Sequence, residues 1–464
     1  MTNAIAAITG LGLIFLTGIV VFAEWRESDW SIDLQSPAAL LLLLVLAPQV
    51  SRGRQVFVAV GFILTFALAY QNPDWVASTR LGLEKAAFIG AFFCALSSLR
   101  SVAEGSPAIQ SAGRFLALQP PGRRYIALTF GGQVFALVLN YGAIALLGGL
   151  ATTSTENEQN PEIRRHRTRR MLMAIQRGFG STLPWSPLSF AVAITTAIIP
   201  GATFAAVAGP GMVTGFLMAG TGWALDTIFK PRIAGSPGIR QTPEGNWKLM
   251  LPLVILLITI MGGIGGLYIL TGIRVVGLVI LLVPTVAFVW VLAQSRSKSG
   301  TRRFRTWLKA YVFTELPAVK GEVVLLMMAG YIGTVGSALL VPAIAASGLD
   351  LSGVPTSLLL VAFVLVIPAA GQIGMNPILA VTLLVPVIPS AKLMGVTPEA
   401  VVVALTAGWA LSGMTSPFTA STLMVAAFGQ VPARHVGLVW NGGYFLVTSI
   451  IVSIWVLGFA GLLA

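Results

Sequence analysis

Eleven apolar runs, at 3–23, 37–50, 55–71, 82–98, 178–200, 203–228, 249–271, 275–294, 322–346, 399–428 and 436–463, leave this chain little room for a water-soluble fold. Several match the roughly 20 helical residues that cross a hydrocarbon core. Hydrophobic residues are 56% of the 464 and charged residues only 10%, which points to an all-α polytopic membrane protein. A net charge of +13 resembles that of a nucleic-acid binder, but the basic residues sit in short loops between apolar runs, where membrane topology places them. Nuclear, secreted and DNA-binding readings are excluded, and nucleic acid is not an expected partner. The single cysteine, Cys94, excludes an internal disulfide framework or a cysteine metal cluster. The first apolar run lacks a basic leader and is expected to be a retained span.

Two further apolar stretches, 125–150 and 355–390, are interrupted by Gly131-Gly132-Gln133 with Asn140, and by Gly371-Gln372 with Asn376-Pro377. Non-helical backbone at membrane depth requires burial in protein or a wet cavity, so both read as re-entrant hairpins. Charge supports this. With a cytoplasmic N-terminus, eleven crossings and two returning hairpins, 24 of the 29 basic residues fall inside; Arg26, Arg80, Lys85, Arg274 and Lys392 fall outside. A full crossing at 125–150 would split the arginine-rich loops on either side of it between the two faces. The C-terminus is then outside, and the expected location is the inner cell membrane.

The chain also carries one pattern twice. Residues 174–189 (AIQRGFGSTLPWSPLS) align without gaps to 404–419 (ALTAGWALSGMTSPFT), 230 residues on. Upstream, Pro107-Ala108-Ile109 pairs with Pro342-Ala343-Ile344, Gly132-Gln133 with Gly371-Gln372, Asn140 with Asn376, and Glu84 with Glu322. The expected organisation is an extra N-terminal span (1–36), a first repeat (37–228) with hairpin 125–150, a cytoplasmic loop (229–248), and a second repeat (249–464) with hairpin 355–390. By the charge-derived topology the hairpins open from opposite faces, so the repeats are inverted, a plan common among secondary transporters.

Proline inside a span removes a backbone hydrogen bond and clashes with the preceding turn. Pro187 and Pro417 are therefore expected to unwind their helices and free carbonyl oxygens. Those carbonyls, with the nearby hydroxyls, suit a small hard cation such as sodium: Asn140, Ser186 and Ser189 at one site, and Asn376, Ser416 and Thr419 at the other. Thr182, Gln372, Ser412 and Thr415 complete the candidate binding set. The half-helix N-termini and hairpin-tip amides suit an anion held between the cation sites. No carboxylate sits at the centre of a span, and the two histidines, His166 and His435, lie in loops, which favours sodium over proton coupling. Segment 161–177 is expected to be an interfacial helix whose arginines anchor lipid and topology; the basic loop 295–320 reads the same way. No Ser/His/Asp arrangement or metal-ligand spacing indicates an enzyme, and no organic cofactor is expected.

With these residues placed, the chain resembles the ion transporter superfamily, which includes divalent anion/sodium symporters and the large membrane subunits of TRAP transporters. The resemblance covers nearly the whole chain. It rests on two opposed Asn-bearing hairpins and on spans broken at Ser186-Pro187 and Thr415-Ser416-Pro417. The symporters' Ser-Asn-Thr hairpin motif is absent: Asn140 lies in Leu-Asn-Tyr-Gly and Asn376 in Met-Asn-Pro-Ile. The resemblance implies a small carboxylate-like organic anion moved by alternating access, a helix like 161–177 linking scaffold to moving bundle, and a homodimer as in the symporter branch. Two alternatives stay open. One is a permease subunit of a TRAP-like system with a solute-binding protein and a small membrane subunit; the other is a passive anion channel or exporter.

Overall fold

The computed structural model describes residues 2–26, 29–156, 158–230, 245–294, 300–347 and 351–462. Most of the expected loop 229–248, with Arg232 and Arg240, lies outside the described residues, as do Arg296 and Lys298 of the basic loop.

Among the described residues the chain is helical and contains no strand. The first helices are α1 (Thr2–Arg26), α2 (Asp29–Leu46), α3 (Arg52–Gln71), α4 (Trp75–Glu104), α5 (Pro107–Ala117), α6 (Pro121–Leu139) and α7 (Gly142–Thr153). Next come α8 (Pro161–Gly180), α9 (Phe190–Ile198), α10 (Phe204–Ile228), α11 (Leu251–Thr271), α12 (Val275–Gln294) and α13 (Gly300–Ala310). The last are α14 (Leu316–Ala318), α15 (Lys320–Ala346), α16 (Thr356–Gln372), α17 (Pro377–Leu384), α18 (Pro398–Thr415), α19 (Ala420–Gly429) and α20 (Gly442–Phe459). Among the described residues, ten helical segments are long and apolar enough to cross a membrane. Their outer faces keep large apolar side chains exposed, such as Phe66 at 83% and Ile269 at 82%, a pattern that water penalises and lipid does not. The chain is an all-α polytopic membrane protein.

Of the eleven expected spans, 399–428 is interrupted between α18 and α19, and 178–200 is not one helix either. It comprises the end of α8, an irregular stretch over 181–189, and α9. The helix expected over 161–177 is α8, three residues longer than expected. Asn160 caps α8 by accepting hydrogen bonds from the amides of Glu162 and Ile163, with Pro161 in the first turn, and the helix then runs unbroken to Gly180. Its last ten residues, Met171 to Gly180, are all buried. Proline alone does not decide where a helix breaks: Pro37, Pro210, Pro284, Pro342 and Pro368 lie inside continuous helices. Pro342 is thus within α15 whereas its sequence partner Pro107 opens α5, so that pair does not occupy equivalent places.

The chain forms two compact units, each drawing on both halves of the sequence. The first comprises Met1–Val102, Thr259–Leu351 and Ile378–Ile388. In it α1 packs on α2 and α3 on α15. The Tyr311 hydroxyl donates to the Cys94 carbonyl at 2.7 Å, and the Trp307 indole to Ser101 at 2.9 Å. The second unit comprises Ala103–Ile258, Ser352–Pro377 and Pro389–Ala464. It contains both broken helices, the whole first hairpin and α16, the first arm of the second; α17 falls almost entirely in the first unit.

Candidate functional site

In the second unit the two copies of the repeated pattern close their breaks with matching hydrogen bonds, although α8 ends at Gly180 and reaches Ser186 through turns whereas α18 stays helical to Thr415. Proline has no N–H, so Pro187 deprives the carbonyl four residues back, at Leu183, and Pro417 deprives that of Gly413. Neither carbonyl is left open. The Ser189 hydroxyl donates to Leu183 O at 2.9 Å, and the Thr419 hydroxyl to Gly413 O at 3.1 Å. Each motif serine also forms a matching turn: Ser186 Oγ accepts from the Leu188 amide at 3.1 Å, and Ser416 Oγ from the Phe418 amide at 3.3 Å. The same donors serve the same acceptors 230 residues apart. The hydroxyl two residues after each proline thus closes the break locally.

The copies also pack alike. Gly178 on α8 lies so close to α6 that a Cβ would run into the Thr129 carbonyl, and Gly408 on α18 lies equally close to the Phe363 carbonyl of α16. Beyond the breaks the packing is reciprocal: α9 lies against α18, and α19 against α8.

The copies differ in how their oxygens are satisfied. Gly413 O accepts from Thr419, from Ser421 and, at 3.4 Å, from Thr422, whereas Leu183 O accepts a single side-chain hydrogen bond, from Ser189. Ser416 also donates to Gly371 O at 2.6 Å, tying the second break to the end of α16. Ser412, fully buried beside Gly371, has no hydrogen-bond partner for its hydroxyl.

The remaining candidates are placed as follows. Thr182 and Thr415 are buried and donate back into their own helices, to Phe179 O and Leu411 O. Asn140 caps α6 at the tip of the first hairpin with φ 51° and ψ −128°, a strained backbone for any residue with a side chain. Gln372 ends α16, its amide donating to Pro368 O at 3.5 Å. Asn376 follows a turn in which Gly374 has φ +90°. The structure therefore brings Ser186, Pro187 and Ser189 together at one break, and Ser412, Ser416, Pro417 and Thr419 at the other.

A buried polar network outside the candidate binding set joins these elements. Arg177, expected to anchor lipid, is 7% exposed. It donates to Asn441 Oδ1 at 3.1 Å, to the Tyr125 hydroxyl at 3.0 Å and to Trp440 O at 3.4 Å, and its guanidinium lies 4.3 Å from the Tyr444 ring centroid. Asn441 in turn donates to Gln176 Oε1 at 2.9 Å and to Met414 O at 3.1 Å. Gln176 completes the link by donating to Thr422 at 3.2 Å. The first broken helix is thus hydrogen-bonded to the second and to the start of α20. Two sequence signals marked these residues: Gln176-Arg177 stands inside the repeated pattern where the second copy has Thr406-Ala407, and Asn441 interrupts an apolar run.

No family model and no curated protein matches the sequence. Solved structures do share the fold. The YdaH transporter of Alcanivorax borkumensis, a protein of unusual topology, superposes with a TM-score of 0.58 at 15% identity, over 88% of this chain and 99% of that one. MtrF of Neisseria gonorrhoeae, from a class of antimetabolite efflux pumps, does so with a TM-score of 0.54 at 14% identity, over 90% of this chain and 97% of that one. Through nearly the full length of both, this chain has the fold of multi-span transport proteins.

Proposed function

We propose that this chain is a secondary active transporter that moves a small organic anion by alternating access, coupled to sodium. The observation that carries this reading is the pair of broken helices in one unit, closed by the same hydrogen bonds and packed reciprocally on each other. That is the pattern expected of two half-sites related by an internal pseudo-two-fold axis. The shared fold with YdaH and MtrF supports transport.

In this reading the α8–α9 segment crosses in two halves, which restores eleven crossings with the N-terminus cytoplasmic and the C-terminus outside. The cation is held by oxygens. At the first break Leu183 O retains a lone pair and lies beside Ser186 and Ser189, with Asn140 at the hairpin tip. At the second, Gly413 O is already served by three hydroxyls, so Ser416, Thr419 and the unpartnered Ser412 hydroxyl are the available ligands, with Asn376 at the turn. The two half-sites therefore bind sodium unequally. The anion sits between them, its charge met by the amides at the starts of α9 and α19.

Uptake into proteoliposomes of a panel of carboxylates and sulfonates tests this, with and without an inward sodium gradient. The reading requires saturable uptake of at least one anion that the gradient accelerates. Unsaturable flux without counterflow would instead support a channel. An efflux direction is a second reading, favoured by the fold shared with MtrF. Inside-out vesicles that accumulate the anion while right-side-out vesicles do not would establish it.

A further inference from the structure

A cavity of about 370 Å³ in the second unit lies between α8, the start of α6, the end of α10 and the start of α20. Its charged lining comes from Arg169, Arg170, Arg177 and Asp226, and His166 also lines it. Asp226 is consumed by Arg170, which grips it through two nitrogens at 2.8 and 2.6 Å. No carboxylate among the described residues pairs with Arg169 or Arg177. Arg177 spends three of its five N–H groups on neutral oxygens, leaving its buried charge without a counter-ion. The Arg169 guanidinium lies 5.7 Å from the Trp440 ring centroid. Two unneutralised guanidiniums lining one cavity make a place for an anion.

The rim of the cavity identifies the kind of anion. It includes Phe229, Val439 and Val447, of which Phe229 is 74% and Val439 60% exposed, at the end of α10 and around the start of α20, two helices long and apolar enough to cross a membrane. A cationic pocket opening through an apolar rim onto a bilayer matches a molecule with a charged head and a hydrocarbon tail. We propose that this cavity binds an acidic membrane phospholipid, with Arg169 and Arg177 on the phosphate and Phe229 and Val447 against an acyl chain. Because Arg177 shares Asn441 with Gln176, which reaches the second break, lipid occupancy bears on the α8–α18–α20 contact.

The test uses the full chain in a neutral detergent, stripped of lipid and titrated with phosphatidylglycerol or phosphatidylcholine. Thermal unfolding and native mass spectrometry are the readouts. Phosphatidylglycerol is expected to raise the unfolding midpoint and remain bound in the mass spectrum, and phosphatidylcholine to do neither. Arg169→Gln is expected to weaken phosphatidylglycerol binding about tenfold, while Arg305→Gln, an exposed arginine in the other unit, leaves it unchanged. Arg177→Gln should lose the response entirely; if that variant does not fold, the half-buried Arg169 decides the matter. Equal responses to both lipids, or a full response in Arg169→Gln, overturns the proposal. Glycerol 3-phosphate reproducing the shift at equal concentration would mean a soluble phosphate ester occupies the cavity, which overturns the lipid assignment.

Discussion

At the scale of single residues, the account turns on how a proline-deprived carbonyl is satisfied. Leu183 O depends on Ser189, whereas Gly413 O has Thr419, Ser421 and Thr422. Ser189→Ala should therefore lower the thermal midpoint in detergent more than Thr419→Ala does, the cost of one buried unsatisfied acceptor being about 1–3 kcal/mol. Equal losses would contradict the asymmetry. Asn140 offers a separation of fold from function: its φ of 51° suits glycine better than asparagine. Asn140→Gly is expected to keep or raise thermal stability while losing sodium stimulation of uptake; a variant that transports normally removes Asn140 from the cation site.

At the scale of elements, close helix approach is the testable feature. Gly178→Ala and Gly408→Ala each push a methyl group into a neighbouring backbone carbonyl, and each should destabilise by about 1–3 kcal/mol. Gly220→Ala in α10, where a Cβ meets nothing within 4 Å, should be neutral or slightly stabilising. Similar midpoints for all three variants would show that the α6–α8 and α16–α18 contacts are looser than described. The sequence made the breaks legible because Ser-Pro with a hydroxyl two residues on occurs twice in register. It could not show that Pro210, Pro284 and Pro342 leave their helices continuous, since that depends on neighbouring packing. Nor could it show that α8 runs from an arginine-rich surface into the interior. Arg177 ends a run of arginines that periodicity cannot divide into surface and buried members, and its partners Tyr125, Trp440, Asn441 and Tyr444 lie far away in the chain.

At the scale of the whole molecule, the long apolar helices and the all-α polytopic class follow from composition and apolar run length. The interleaving of two units does not, because contacts between distant segments decide it. Orientation rests on charge and can be tested with thiol reagents. Cys94 is 4% exposed and should stay silent, so cysteines placed by substitution report sidedness. In intact cells Lys392→Cys should react with an impermeant maleimide and Arg434→Cys only after permeabilisation; the reverse pattern would invert the topology.

The central claim is that the two matched breaks form the sodium and anion site. Sodium-driven anion uptake by purified protein in proteoliposomes, compared between wild type, Ser186→Ala and Ser416→Ala, tests it most directly. The account predicts saturable, sodium-accelerated uptake in the wild type and a fall of about tenfold or more in each variant, without loss of the folded protein. Undiminished sodium-driven uptake in both variants would contradict it.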